Sequence, residues 1–182
     1  MTQVWIVLGV AALFGIVIIA IYNRLVGLRQ NCRQGLADID AQLTQRSDLI
    51  PNLVETVKGY AAHETATLDA VIAARAKAAN GSAEGEAALG GALRGLFALA
   101  ESYPDLKASA NFQTLQHELA DVEDKLAAAR RALNSAAADY NSARESFPAV
   151  LFAGSLGFTP ADFATIADAD RARVAAVPGV KF

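Results

Sequence analysis

The stretch YNRLVGLRQNCRQGLADIDAQLTQRSDLIPNLVETVKGY, Tyr22 to Tyr60, carries the pattern that decides the fold. Apolar or small residues recur at Tyr22, Leu25, Leu28, Cys32, Gly35 with Leu36, Ile39, Leu43, Ile50, Leu53, Val57 and Tyr60. Arg46 occupies one position of the same stripe. The steps alternate three and four, which is the signature of a helical face sustained for about five heptads. Pro51 lies inside the pattern. It lacks a backbone donor and crowds the carbonyl of Ser47, so a bend is expected there. The stripe keeps its phase across Pro51, which predicts a kink and not a break.

On the N-terminal side, the stripe continues into an apolar run. No Asp, Glu, Lys or Arg occurs from Met1 to Asn23, and Val4 to Ile21 holds twelve Val, Ile, Leu or Phe residues. At about −0.3 to −0.6 kcal/mol each near a helix centre, these favour bilayer insertion by roughly 4 to 7 kcal/mol. Eighteen helical residues span roughly 27 Å, close to the hydrocarbon thickness. Trp5 and Tyr22 stand near the two ends, where aromatic belts form. A cleaved signal peptide fits poorly: there is no basic start, the run is too long, and Ile19-Ala20-Ile21 is not a small-x-small cleavage site. An uncleaved anchor over residues 1–23 is therefore expected. Gly9, Ala12 and Gly15 recur at i, i+3 and would let anchors approach closely, although GxxxG spacing is absent. Arg24, Arg29 and Arg33 follow the run directly, and by the positive-inside rule they favour a cytoplasmic domain.

On the C-terminal side, helical patterns continue. Leu68, Val71, Ile72, Ala76 and Ala79 mark a second helix, which Asn80-Gly81-Ser82 with Gly85 should stop and turn. Leu89, Leu93, Leu96, Phe97 and Leu99 mark a third, ended by Tyr103-Pro104-Asp105. Ser109 suits an N-cap for a long helix from about Ala110 to Ser146, with its stripe at Phe112, Leu115, Leu119, Val122, Leu126, Ala129, Leu133, Ala136, Tyr140 and Phe147. No alternating strand pattern is visible. The expectation is an all-α chain: an anchor running into an elongated antiparallel bundle of three to four long helices over residues 24–147. Residues 148–182 differ. The apolar, glycine-containing segment with Phe147, Leu151, Phe152 and Phe158 is too short to span a bilayer, so it should pack on the bundle end or touch the membrane surface. Thr159-Pro160-Ala161 should open a short helix through Ile166.

Chemistry is sparse. There is no Walker loop, GxSxG or HExxH, so no catalytic, cofactor-binding or metal-ligating residue is assigned, and no small-molecule substrate is expected. His63 and His117 each neighbour a glutamate in sequence, and i, i+1 pairs do not face each other on a helix. Cys32 on the stripe reads as a packed thiol. The net charge of −3 and a pI of about 5.4 argue against nucleic acid as a partner. The densest polar group is Asp38, Asp40, Arg46, Asp48, Asn52 and Glu55, around Pro51. A stripe arginine needs a carboxylate, and Asp48 points elsewhere on a straight helix, so the partner should come from another helix. This group serves either to fix helix register or to recognise a partner.

The runs Tyr22-Asn23-Arg-Leu-Val26, Asp38-Ile-Asp40 and Arg46-Ser-Asp48-Leu49-Ile50-Pro51-Asn52-Leu-Val-Glu55-Thr-Val-Lys-Gly-Tyr60 resemble the LemA family of bacterial membrane proteins. So do Ala74-Arg75, Glu101 to Leu106, Asn111-Phe112, Leu115-Gln116, Glu118-Leu119, Ala129-Arg130, Tyr140-Asn141, Phe147-Pro148, Gly157-Phe158 and the ending Pro178 to Phe182. Leu36 and Ala132-Leu133 stand where the family usually has aromatic residues. The resemblance implies a single-pass protein of the bacterial inner membrane with a helical bundle and no known enzymatic activity. Some relatives look like lipoproteins, which suits a domain outside the cytoplasm and leaves both sides of the membrane open. The expected role is a non-enzymatic scaffold that self-associates through anchor and stalk to organise or shape a membrane. The alternative is a tethered adaptor for a membrane protease, chaperone or envelope-stress partner. Lipid and further copies of the chain are the expected partners, with another membrane protein as the alternative.

Overall fold

The computed structural model describes residues 1–79 and 81–164. Asn80, Ile166 and the ending Pro178 to Phe182 lie outside the described residues. The described chain is all-α, with no strand. Its elements are α1 (Thr2–Lys58), α2 (Thr65–Ala78), α3 (Ala83–Ala100), a short α4 (Pro104–Lys107) and α5 (Ala110–Glu145), followed by one 3-10 turn at Ala149–Leu151. α1 continues through Pro51 without a break. Its N-terminal part is long and apolar enough to cross a membrane, with none of the most apolar stretch buried.

The described chain packs as two compact units. One comprises Met1–Ile39 with Ala128–Ala164, the other Asp40–Ala127.

The second unit takes its core from all five helices, with Leu106 of the short α4 fully buried among the rest. Ile50, Leu53 and Val57 of α1 meet Leu68, Val71 and Ala74 of α2, Leu89, Leu93 and Leu96 of α3, and Phe112 and Leu119 of α5. The α1 and α3 residues repeat at three and four, so each helix buries one continuous stripe. On α2 the structure corrects the expected face. Ala74 is buried, while Ile72, Ala76 and Ala79 are exposed. A helix made largely of alanine offers little hydropathic contrast, so periodicity selects its buried face poorly.

The turn between α2 and α3 is built by two small residues. Gly81 adopts φ +65°, a region L side chains rarely enter, and Ser82 caps α3 by accepting from the Gly85 amide at 3.1 Å. Gly85 lies inside α3 and not in the turn. A Cβ there would stand 2.4 Å from the Lys77 carbonyl oxygen, so only glycine permits this approach of α3 to the end of α2. α3 ends at Ala100, and Pro104 opens α4 from its first turn, where a missing amide costs nothing.

In the first unit, Leu25 and Cys32 of α1 pack with Leu133, Ala137, Tyr140 and Ala143 of α5 and with Ala149, Ala153 and Phe158 beyond it. The helices come close at Gly35, where a Cβ would lie 3.1 Å from the Leu133 Cα. Burial raises the Cys32 thiol pKa.

The short helix expected from Thr159 does not form over the described residues Thr159–Ala164. α5 holds this segment by its backbone instead. Asn141 accepts from the Ala161 amide and donates to the Ala161 carbonyl, both at 2.9 Å. Asn134 does the same for Ala164, at 2.8 and 3.3 Å. Tyr140 Oη donates to the Thr159 carbonyl at 2.8 Å, and Arg144 Nε to that of Phe158 at 3.1 Å. Side chains thus take the partners a helix would have needed.

In the second unit, the Tyr103 hydroxyl donates to Glu64 Oε1 at 2.9 Å, joining the segment before α2 to the one after α3. That bond, together with desolvation and the charge of Glu64, raises the phenol pKa above its ordinary value of about 10. A raised folded pKa means the bond's stabilisation is fully present below the unfolded value and is lost as pH rises through the folded one. Denaturant melts above pH 10 should therefore show a loss of stability that Tyr103→Phe lacks, and an absorbance titration should show one late phenol that Glu64→Gln brings back towards the ordinary value.

Candidate functional site

The polar group around Pro51 acquires its geometry from a gap in α1. In an α-helix the amide of residue i bonds the carbonyl of i−4. Pro51 has no amide, so the Ser47 carbonyl loses its partner within the helix. Arg75 of α2 takes that place. Its Nε donates to the Ser47 carbonyl at 2.9 Å and also approaches Ser47 Oγ at 3.2 Å. Pro51 itself is exposed, with Asn52 and Glu55 beside it. Its effect reaches the core through the carbonyl it leaves open.

Arg46 lies one residue before. It is 4% exposed and donates from Nη1 to Glu123 Oε1 of α5 at 2.7 Å. The carboxylate comes from another helix and is itself 50% exposed. The Arg46 Nε is buried without a protein partner. Two guanidinium groups thus cross from one helix to another within about one turn of α1, one outgoing from α1 and one incoming. Both fix axial register, which alanine-rich faces specify weakly.

Beside them is an open cleft of about 330 Å³, lined by Asp40, Leu43, Thr44, Arg46, Ser47, Asp48, Arg75, Leu89 and, at and just past the end of α2, Ala78, Ala79 and Gly81. Asp40 and Asp48 are exposed, Leu49 is half-buried and Ile50 buried. Charged groups of both signs on one rim suit recognition of a polar surface.

Other expected residues are placed elsewhere. Asp38, Tyr22 and Asn23 belong to the first unit, where the Tyr22 ring meets Phe158 edge-on at 5.4 Å. Phe158 is buried, and the Arg29 guanidinium sits 4.9 Å from its ring centroid, a cation–π contact. Phe147, expected on the α5 stripe, is 80% exposed, because α5 ends at Glu145 before reaching it. Phe152 is half-buried and meets Phe14 of α1 edge-on at 6.0 Å. Trp5, Gly9 and Ala12 are exposed, and nothing lies within 4 Å of a Cβ at Gly9 or Gly15. His63 and His117 are exposed, and among the described residues no three His, Cys, Asp or Glu gather as metal ligands.

Sequence reasoning missed Arg75, Glu123, Asn134 and Asn141 as positioning residues. A signal for Arg75 existed: a proline inside a helix leaves one carbonyl, and some donor must meet it.

A model of the LemA family matches residues 35–182. The chain belongs to the LemA family. The match takes in the Arg46–Glu123 pair, the Pro51–Ser47–Arg75 arrangement and the Asn134 and Asn141 clamps, and begins after the apolar part of α1. No curated protein matches this LemA chain.

Two outcomes test the site. Arg75→Ala should cost about 1 to 2 kcal/mol in urea melts, and in the Pro51→Ala background the cost should shrink, since an amide at 51 can then bond Ser47. Glu123→Ala should cost about 1 to 3 kcal/mol by stranding the buried Arg46, whereas Arg46→Met with Glu123→Ala should recover most of the loss.

Proposed function

We propose that this LemA protein is a non-enzymatic scaffold, anchored in the bacterial inner membrane by the first part of α1, whose copies associate laterally to organise or shape that membrane. The observation that carries this reading is the continuity of α1. One helix holds both the apolar span and the Ile50–Leu53–Val57 face. Contacts made between anchors would therefore set the spacing of the residues that follow in the same helix. The open space at Gly9 and Gly15 supports close anchor contact, because two backbones can meet where no Cβ intervenes. The basic flank Arg24, Arg29 and Arg33 supports a cytoplasmic bundle.

A second reading is a tethered adaptor, supported by the mixed-charge cleft beside Arg46 and Arg75. Counting copies in lipid nanodiscs or by single-particle bleaching in bilayers separates the two. The scaffold predicts uniform particles of several copies, reduced in number by Gly9→Leu with Gly15→Leu. A monomer at every protein-to-lipid ratio would remove the scaffold and favour the adaptor.

A further inference from the structure

We infer that residues 147–158 form a second membrane-inserted element: a short apolar wedge that enters the lipid of one leaflet beside α1 without spanning it. This rests on the reading of α1 as an anchor.

The placement is set by two ring contacts. Phe158 meets Tyr22 at the end of the apolar run, while Phe152 meets Phe14 inside it. Phe14 lies about two turns, or roughly 12 Å, before Tyr22 along α1. Half the hydrocarbon thickness is about 15 Å. With Tyr22 at the headgroup level, Phe152 therefore lies alongside buried lipid depth and not at the surface. The segment returns to α5 from there, so it dips and rises on one side of the bilayer.

Its composition and bonding suit that environment. No formal charge occurs between Glu145 and Asp162. Phe147, Val150, Leu151 and Leu156 are exposed, Leu151 by 64%, next to an anchor whose side chains are exposed in the same way. Irregular backbone enters lipid only if its polar groups are met locally. Seven amides of the segment, those of Val150, Leu151, Phe152, Ala153, Leu156, Gly157 and Phe158, meet part of that demand by bonding carbonyls within the stretch Ser146–Gly154. Gly157, at φ +77°, makes the turn that brings Phe158 back to the Ala153 carbonyl. Arg29 over the Phe158 ring and Arg144 on its carbonyl place two cations where the segment leaves the lipid, at headgroup height. The occupant of the exposed face is acyl chain, because the face continues the apolar surface of the anchor. A wedge in one leaflet also gives the shaping role a physical means, by enlarging that leaflet alone.

The test uses full-length protein in vesicles of phosphatidylethanolamine and phosphatidylglycerol, with or without brominated acyl chains. Trp5, the sole tryptophan, reports on the anchor in the unchanged protein. Leu151→Trp with Trp5→Phe reports on the wedge, and Leu36→Trp with Trp5→Phe on α1 well past the anchor. Expected is loss of emission in brominated vesicles for Trp5 and for the reporter at 151, without quenching by iodide, and the reverse for the reporter at 36. Quenching of Trp5 by bromine, with the reporter at 151 open to iodide, would overturn the wedge and leave the anchor. A reporter at 151 shielded from both quenchers would overturn it in favour of cover by a second copy. Failure of bromine at both Trp5 and 151 would overturn the anchor and the wedge together.

Discussion

One carbonyl without a partner in its own helix ties α2 to α1. Pro51 withholds the amide that Ser47 would have bonded, and Arg75 supplies the donor from across the interface. An apolar stripe alone would tolerate sliding here, because the α2 face is Leu68, Val71 and Ala74, with alanine and threonine around it. Translating such a face by one turn changes its buried area little. A guanidinium reaching one particular carbonyl does not tolerate that shift, and neither does Arg46 reaching Glu123. The second unit thus separates two tasks: leucines and valines supply burial, and two arginines supply register.

The same division appears in the first unit with different chemistry. Gly35 and the alanines of α5 allow close approach but specify little. Specificity comes from Asn134 and Asn141, each of which gives one donor and one acceptor to a single residue of the segment after α5. Seven residues separate the two asparagines, which places them on one face of α5 two turns apart. A segment bonded in this way needs no secondary structure of its own, which is why Thr159 and Pro160 do not start a helix despite having the residue types for one.

Much of this was legible in the sequence where hydropathy has contrast. Most of the stripe on α1, the bounds of α5 and the need of Arg46 for a carboxylate from another helix follow from residue type and spacing, although Tyr22, Leu36 and Tyr60, expected on the stripe, are exposed. The reading fails where alanine is abundant, as on α2, because burial of a methyl group leaves no periodic mark. It fails also for side chain-to-backbone bonds such as those of Asn134, Asn141 and Arg75. Their partners are carbonyls and amides, which every residue carries and no sequence distinguishes. Pro51 was visible as an irregularity, and the consequence that spacing did not reveal is the donor from Arg75 that meets the carbonyl it releases.

α1 joins two kinds of surface under one constraint. Its first part exposes side chains suited to lipid on all sides, and its last part exposes polar ones and buries a single stripe. A helix satisfies its own backbone in either solvent, so the change of surroundings needs no change of secondary structure. The demand falls on the side chains at the transition. Tyr22 and Arg29 share it by packing on one aromatic residue, Phe158, whose backbone is held in turn by Arg144. An aromatic ring suits this role because its edge and face accept different neighbours, a second ring and a cation. The segment after α5 is thereby fastened at the height where α1 passes from apolar to charged, and the apolar stretch that precedes Phe158 has the apolar side of that boundary as its nearest surface.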